Sequence, residues 1–597
     1  MTKASKETAP PSHLSLLRQW LKKHNFSGFF VPRGDRYLGE YVPACDERLQ
    51  WVSGFSGSAG MAVVGGKKAA LLVDGRYTIQ AAAEVNNQEW DILPWGDDEA
   101  LMAWLNAHIK GRDVGYDPHL HSEQWRRKWE KKLDVLGFTL TKIEKNNPID
   151  GLWNNRPAAP CSELYAYKKS GGSIDNKHQK LFEIVTQHNA DAVFLADPHG
   201  VNWLLNIRGQ DLAYTPLVLC QALVRRDEVV LLLDPARVPD SLRSIWGDQI
   251  KIRHPQEKLP WVMPHERVLV DEAITNVADM GKLSAEAAQI IKGDDPTLIL
   301  KARKTAVELR DAISVHEQDG LAVIEFLYWL KQESARRTIG ELEAAAYLLQ
   351  CRQQQAGFVC PSFETISGAA GNGAIVHYRA TPHTEKNLQQ GSLYLVDSGG
   401  QYQGGTTDIT RTIAIGVPTP TMKKHYTLVL KGHLALARAV FPKGTKGWQI
   451  DILARQYLWR EGLDYQHGTG HGVGSFLSVH EGPARISKYY HTAALEAGMV
   501  LSNEPGLYIE GQYGIRIENL FYIAPSPHAD YLQCNSLTLV PYDISLIDVD
   551  LLEKQEIAQI QRYHQRIEEV LASRLAAPQA AWVQNIVKLC NQWNAKQ

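Results

Sequence analysis

Cysteine pairs, long apolar runs and an excess of one charge are all missing from this 597-residue sequence. Its seven cysteines are odd in number and scattered, without any Cys-x-x-Cys, so we expect free thiols in a reducing compartment. No run of about 18 apolar residues is present, which predicts no membrane span. Lys and Arg total 64 against 66 Asp and Glu, whereas a dedicated nucleic-acid binder is usually basic. We therefore expect neither a nucleic acid nor a membrane as partner.

Several familiar functional patterns are missing as well. No His-Glu-x-x-His occurs, which excludes the helical zinc proteases as the obvious class. The "GFSGS" segment at 54–58 lacks the final glycine of a nucleophile elbow. No glycine-rich segment leads into Gly-Lys-Ser/Thr, so a phosphate-binding loop is not indicated. The polar first 15 residues lack the apolar region of a secretory signal, and we expect a cytoplasmic chain with a short disordered tail.

The first half of the sequence contains a repeat in which strand-like and helical segments alternate. This alternation predicts an α/β domain with a mixed sheet, and the repetition predicts two copies of it. Trp51 parallels Trp203, and we expect Asp74 and Asp234 to occupy equivalent places. The matched segments are 24–35 with 188–200, and 69–77 with 229–237.

Weakly patterned stretches at 151–160 and 293–305 predict the joins between domains. We expect one α/β domain, a second that repeats it, and a third in which helices cover an antiparallel sheet and a helical extension ends the chain; their ranges are 1–152, 153–303 and 304–597. The third domain opens with a long amphipathic helix. Thr338 and Glu341 have the spacing of a capping box for the next helix.

Five potential metal ligands lie between residues 392 and 523, each beside glycine or on a strand-like run: Asp397, Asp408, His471, Glu504 and Glu518. Asp397 ends one apolar strand and Asp408 opens the next, so the glycine-rich turn between them predicts a hairpin that brings both carboxylates together. In "GIRIEN", alternation places Arg516 and Glu518 on one face while the isoleucines enter the core.

One imidazole and four carboxylates suit a pair of hard or borderline divalent cations. Without cations, four crowded carboxylates would repel one another and raise one another's pKa values. Each residue alone has an ordinary alternative: an Asp after a strand is usually a turn residue, and a Glu on a strand is usually solvated. The ordered combination is what points to a metal site.

Three histidines and one arginine are candidates for the remaining chemistry. A site that polarises a peptide carbonyl needs donors for the oxyanion and for the leaving nitrogen, and histidine can serve both near neutral pH. The alternative for each histidine is a buried, hydrogen-bonded side chain, and for the arginine a surface position on an edge strand. The candidates are His377 in "NGAIVHYRA", His467 in "HGTGHG", His480 in "SVHEGP", and Arg516.

The order Asp, Asp, His, Glu, Glu resembles the site of the pita-bread metallopeptidases, which include methionine aminopeptidase, prolidase and aminopeptidase P. The strings "HGTGHGVGSFLSVHEGP", "GIRIEN" and "EYVPACDERLQWVSGFSGSAG" are most similar to the three-domain, cytosolic aminopeptidase P branch. The resemblance covers nearly all of the chain after about residue 12. It implies two duplicated creatinase-like α/β domains followed by a pita-bread catalytic domain, and a homodimer formed through the third domain.

The resemblance also implies an activity and its cofactors. The chain would hydrolyse the bond between an N-terminal residue and a penultimate proline, by attack of a metal-bridging hydroxide. Two divalent ions would be bound, manganese being usual, although the same ligands accept zinc or cobalt. Asp397 would hold one ion, His471 and Glu504 the other, and Asp408 and Glu518 would bridge them.

Glu504 would also shuttle the proton, by the same resemblance. His377, His467 and His480 would contact the substrate, and Arg516 would support the carboxylates by pairing with one of them. Two other functions stay open on the sequence. One is a prolidase-type Xaa-Pro dipeptidase with the same chemistry and a different length limit. The other is a non-catalytic pita-bread binding protein, although such relatives normally lack the ligands that this chain keeps.

Overall fold

The computed structural model describes residues 12–143, 145–257, 261–287 and 289–593. The polar tail expected at the start of the chain falls mostly on residues 1–11, which lie outside the described residues. The described part packs as two compact units. The first is drawn from 1–163, 182–201 and 219–295, and the second from 164–181, 202–218 and 296–597.

The first unit contains two six-stranded mixed sheets of the same design. The strands of the first sheet are β1 Gly28–Pro32, β2 Met61–Gly65, β3 Ala69–Val73, β4 Trp90–Pro94, β5 Asp113–Tyr116 and β6 Thr139–Lys142. Their order is β4-β3-β2-β1-β5-β6. The helices of this part are α1 His13–Lys23, α2 Arg48–Ser53, α3 Thr78–Glu84, α4 Asp98–His108, α5 Glu123–Val135 and α6 Pro148–Leu152.

The next strands are β7 Tyr165–Ala166, β8 Ala192–Leu195, β9 Ile207–Arg208, β10 Gln221–Arg225, β11 Val229–Leu232, β12 Ile250–Arg253, β13 Arg267–Val270 and β14 Gln289–Lys292. The second sheet has the order β12-β11-β10-β8-β13-β14, while β7 and β9 pair with each other in the second unit. The helices here are α7 Ile174–Gln187, α8 Pro198–Leu204, α9 Asp240–Trp246 and α10 Val277–Glu286.

The repeat predicted from the sequence is confirmed by this topology. In both sheets the central strand is antiparallel to one neighbour and parallel to the other. Asp74 directly follows β3, and Asp234 follows β11 after one intervening residue, so the two occupy the same place in the strand order.

Both faces of the first sheet are buried, which explains its continuous apolar runs. Phe29 and Val31 of β1 pack into a core with α1 and α2, whereas Phe30 packs on the opposite face with α4 and α5. A strand alternates its side chains between faces, so a run such as "AALLV" supplies both cores at once.

The second unit carries the catalytic candidates on antiparallel sheets covered by helices. Its helices are α11 Pro296–Ala302, α12 Ala306–Glu333, α13 Glu341–Gln353, α14 Pro420–Ala437, α15 Gly447–Trp459, α16 Lys554–Leu571 and α17 Ala577–Cys590. Its further strands are β15 Phe358–Pro361, β16 Ile366–Ala369, β17 Ser392–Ser398, β18 Gly400–Tyr402, β19 Gly405–Thr406, β20 Ile409–Ile415, β21 Val440–Pro442, β22 Gly470–Gly472, β23 Glu481–Ile486, β24 Val500–Asn503, β25 Gly506–Ile509, β26 Tyr513–Arg516, β27 Asn519–Pro525 and β28 Tyr531–Ser536.

Two sheets of this unit hold most of the site: β16-β17-β20 and β21-β28-β27-β24-β22-β23. Phe326 of α12 and Leu348 of α13 pack against Tyr394 of β17 in one core. Val429 of α14 and Leu458 of α15 pack with Ile515 in another. The predicted arrangement of helices over an antiparallel sheet, with a helical end, is therefore confirmed.

The capping box expected for Thr338 and Glu341 is wrong. Helix α13 begins at Glu341 itself, and the carboxylate of this residue accepts hydrogen bonds from the backbone N–H of Ala369 (2.6 Å) and of Lys386 (2.9 Å). The three-residue spacing of Thr338 and Glu341 suggested a local hydrogen bond, but the Glu341 carboxylate bonds to backbone that is distant in sequence. Glu341 thereby ties down the segment that carries His377.

The structure also describes the state of the cysteines and the polarity of the long helices. All seven cysteines are free, and four of them are buried. Among the described residues, the helices that reach the length of a bilayer core are too polar to cross one.

Acid should destabilise the second unit through buried histidines such as His564. Its Nδ1–H donates to Ile560 O and its Nε2 accepts the N–H of Tyr542, so the neutral ring is built into the fold. Burial lowers its pKa from 6.5 to about 3. The unfolded chain takes up this proton below pH 6.5 and the folded chain does not, so stability present above pH 6.5 is lost as the pH falls toward 3.

We expect the melting temperature to fall less steeply between about pH 7 and pH 5 in His564→Gln than in the unsubstituted protein, because one titrating group is removed. His528→Gln, at an exposed histidine, is the matched control and should keep the original slope. Equal slopes in all three proteins, measured by scanning fluorimetry, would contradict this account.

Candidate metal centre and active site

The two early carboxylates lie on and next to neighbouring strands, as the glycine-rich turn predicted. Strands β17 and β20 pair antiparallel, with Asp397 opposite Thr410, and Asp408 directly precedes β20. The connection between them forms the short strands β18 and β19. Both carboxylates are nearly buried, with 8% exposure for Asp397 and 4% for Asp408.

The other three candidate ligands come together through the six-stranded sheet of this unit. His471 lies on β22, Glu504 directly follows β24, and Glu518 directly precedes β27. Strands β22 and β27 both pair with β24, which brings these distant parts of the sequence side by side. A Cβ at Gly470 would lie 2.1 Å from Ser502 O, so the glycine beside His471 permits the close approach of β24.

Glu518 and Arg516 share one face, as the alternation in "GIRIEN" predicted. Ile515 and Ile517 are both fully buried in a hydrophobic core. Thr410 Oγ1 donates to Glu518 Oε2 (2.8 Å) and accepts from Arg516 Nε (3.1 Å), so both polar side chains meet at β20. The strand is interrupted there: β26 ends at Arg516 and β27 begins after Glu518.

Three overlapping groups of these side chains could each hold a metal ion, with ligand atoms within 4.8 Å of one another: Asp397, Asp408 and Glu518; His471, Glu504 and Glu518; and Asp408, His471 and His480. Glu518 belongs to the first two groups, Asp408 to the first and third, and His471 to the second and third. His471 Nε2 lies 3.5 Å from both Asp408 Oδ2 and Glu504 Oε1. Two adjacent cation positions that share carboxylates would produce this overlap.

The tautomer of His471 also suits a metal ligand. Its Nδ1–H donates to Gly472 O at 3.0 Å, so Nε2 is the nitrogen that faces the carboxylates and could bind a cation. Burial by itself lowers the pKa of His471, but Asp408 and Glu504 raise it to about 9. A cation at Nε2 would replace the proton that these carboxylates otherwise favour.

Burial close to one another raises the pKa values of three of the carboxyl groups. Burial, with the charges of neighbouring carboxylates, raises the pKa of Asp397 to about 7 against the opposing effect of Arg516, and raises the pKa values of Glu504 and Glu518. Asp397 Oδ1 and Glu518 Oε1 are buried without a hydrogen-bond partner among the described residues. Unsatisfied buried oxygens in a set of hard ligands fit divalent cations.

Arg516 and His467 are joined by a tyrosine that the sequence had not singled out. Tyr508 Oη lies 2.7 Å from Arg516 Nη1 and 2.8 Å from His467 Nε2. Arg516 Nη2 donates to Asp397 Oδ2 at 2.7 Å. Arg516 therefore links the carboxylates to His467 through Tyr508. Tyr508 lies on β25, whose pairing with β26 brings it near Arg516.

The three candidate histidines occupy different positions. His467 is absent from the groups that could hold a metal, and its Nδ1 bonds to Gly468 O. His480 lies close enough to join one of those groups, and its ring centroid is 4.3 Å from that of His471. His377 is half-buried in a turn after the 3₁₀ helix at Ala370–Ala374, and it belongs to none of the groups.

Comparison with known families covers nearly the whole chain. Residues 309–525 match the metallopeptidase family M24, and residues 530–588 match the C-terminal region of peptidase M24. Residues 13–145 and 155–308 each match a creatinase/prolidase N-terminal domain.

Full-length relatives are found as well. A probable Xaa-Pro aminopeptidase P of Fusarium vanettenii is 36% identical, over 93% of this chain and 95% of its own length. Aminopeptidase P1 of Arabidopsis thaliana is 34% identical, over 96% of this chain and 98% of its own.

Solved structures give the same result. X-prolyl aminopeptidase from Caenorhabditis elegans, described as a cytosolic enzyme with a dinuclear active site, matches with a TM-score of 0.90 and 31% identity over 96% of this chain and 99% of that chain. An Xaa-Pro dipeptidase from Bacillus anthracis matches with a TM-score of 0.52 and 22% identity, over 62% of this chain and 99% of its own. The second likeness concerns the fold alone.

Proposed function

This chain belongs to the Xaa-Pro aminopeptidase P family of the M24 metallopeptidases, and we propose from that membership and from its site that it removes the N-terminal residue from peptides whose second residue is proline. The observation that carries the proposal is the set of overlapping ligand groups, in which Asp408, His471 and Glu518 are each shared. The amide before proline has no N–H and proline has a fixed φ, so this bond calls for a specialised site.

The overlap is compatible with the assignment of ligands that the family resemblance implies, and we propose that assignment for this chain. Asp397 would hold one ion, His471 and Glu504 would hold the other, and Asp408 and Glu518 would serve both. When bound, the two ions supply an activated water and polarise the scissile carbonyl. We propose that both ions are manganese, although zinc or cobalt would suit the same ligands.

Side chains of the protein would supply the proton transfer and the hydrogen bonds to the substrate. Glu504, whose pKa is raised by burial, takes a proton from the attacking water and passes it to the proline nitrogen as the bond breaks. His480, beside His471, would donate to the substrate or to the developing oxyanion. His467, whose two ring nitrogens bond to Gly468 O and Tyr508 Oη, would contact the substrate by exchanging one of these partners. His377 contacts the substrate from its turn.

Arg516 keeps the site together without touching the scissile bond. Its charge opposes the rise in the pKa of Asp397 that burial and the neighbouring carboxylates cause. It also positions Tyr508 for His467. Replacing it should therefore disturb the metal site and the substrate side at the same time.

Three further proposals rest on the relatives. The domains divide at 1–152, 153–303 and 304–597, in line with the separate family matches. The chain acts in the cytoplasm, as the C. elegans enzyme does by its description. It forms a homodimer through the third domain.

Cleavage of three peptides tests the proposed function against a prolidase-type dipeptidase. We expect the purified protein with manganese to release arginine from Arg-Pro-Pro, to leave Arg-Ala-Ala intact, and to cleave Arg-Pro poorly. Activity should disappear after chelation and return with the metal. Preferred cleavage of the dipeptide would favour the dipeptidase, and no cleavage by a protein that holds two metals would favour a binding protein.

A further inference from the structure

The loop before His480 has an unfavourable backbone that other residues hold in place. Phe476 has φ of 52°, in the left-handed region that bulky residues rarely adopt, and its side chain is 1% exposed. Such a conformation persists only when the surroundings fix it. His480 follows four residues later, so the course of this loop decides where its imidazole points.

Arg208 fixes the first part of this loop. Its Nε donates to Phe476 O at 2.7 Å and its Nη2 donates to Ser475 O at 3.2 Å. Its Nη1 donates to Ile207 O (2.8 Å) and Asn202 O (3.2 Å), so one planar group joins two segments that are far apart in sequence. Arg208 is 2% exposed and lies on β9, within the segment 202–218 that belongs to the second unit.

Aromatic rings reinforce the same contact. The guanidinium carbon of Arg208 lies 4.3 Å from the ring centroid of Tyr167, and that ring stacks on Phe476 at 5.2 Å. Burial lowers the pKa of Arg208 to about 10, so the group is charged at neutral pH and its hydrogen bonds are charge-assisted.

The second part of the loop is fixed from another side. Gln401 Nε2 donates to Leu477 O at 2.7 Å, and Thr406 Oγ1 donates to the same carbonyl at 3.3 Å. Beyond His480, Glu481 is 6% exposed and pairs with Lys301 at 3.5 Å and with Lys304. His480 is therefore held between two anchored stretches of backbone.

We propose that Arg208 is a positioning residue for His480: it sets the 475–477 backbone so that the imidazole meets the substrate beside His471. This rests on the proposed function, in which His480 donates to the substrate or to the transition state. Residues outside the third domain thus complete the site, through a side chain that touches neither metal nor substrate.

A double-mutant cycle tests the link. Arg208→Lys keeps the charge and loses the planar fork. We expect it to lower kcat by up to about 10²-fold through misplacement of His480, with little change in KM and two metals per chain. In the His480→Ala background, Arg208→Lys should add less than about a twofold loss. In the His467→Ala background the full loss should remain.

The outcomes separate the two proposals. An unchanged rate in His480→Ala would overturn both the role of His480 and the inference on Arg208. A full additional loss for Arg208→Lys in the His480→Ala background would overturn only the inference on Arg208, as would loss of metal in Arg208→Lys. If Arg208→Lys yields no folded protein, Gln401→Leu, which removes the donor to Leu477 O, enters the same cycle with the same expectations.

Discussion

Asparagine in place of Asp408 is expected to abolish binding of the metal pair and to lower turnover by at least about 10³-fold. Asp408 contributes to two of the three ligand groups, and in the proposed assignment its charge would serve both cation positions. A neutral amide bridges two cations poorly, and the remaining carboxylates cannot replace it from where their strands place them. Elemental analysis and turnover on the same preparation measure both effects.

Asp530→Asn is the matched control for that substitution. Asp530 is an exposed carboxylate that pairs with Lys443 on the surface of the same unit. The control should keep two metals per chain and full activity. Two metals and full activity in Asp408→Asn as well would show that the ligand assignment is wrong.

Alanine in place of His471 is expected to remove metal and activity together, whereas alanine in place of His467 should remove activity alone. His471 Nε2 faces Asp408 and Glu504, but His467 Nε2 bonds to Tyr508. Loss of a donor to the transition state costs about 3–4 kcal/mol, or roughly 10²–10³ in rate. Metal content and kcat measured on each variant separate the two roles.

His480→Ala belongs to the same series because His480 lies near a possible metal position. We expect it to behave like His467→Ala and to retain both metals. Loss of one metal in His480→Ala would assign it to the metal centre instead. Metal release from His467→Ala, with retention in His471→Ala, would reverse the assignment of those two residues.

The parts of the site that follow from local sequence were predicted correctly in their geometry. Asp397 and Asp408 flank one glycine-rich connection, and period-two alternation fixes the shared face of Arg516 and Glu518. The repeated α/β sheets could be predicted for a similar reason. Each copy carries its own pattern of strands and helices, and neither depends on pairing across the whole chain.

Contacts between distant segments could not be predicted from the residues alone. The pairing of β25 with β26 places Tyr508 between His467 and Arg516, and no spacing in the sequence indicates it. Glu341 has a local capping pattern but binds backbone far along the chain. His471 and Glu504 were placed in one site only by the family resemblance. The structure gives the physical reason, because β22 and β24 are neighbours in one sheet.

Residues 164–181 and 202–218 belong to the second unit, which limits how the protein can be divided. A fragment cut at the proposed sequence boundary, 304–597, would lack Tyr167 and Arg208. The carbonyls of Ser475 and Phe476, which now accept from Arg208, would be left to water. We therefore expect the fragment 304–597 to lose this anchoring of the loop before His480 when it is expressed alone. A chimera that exchanges residues 304–597 between relatives would also need residues 164–181 and 202–218 from the same parent.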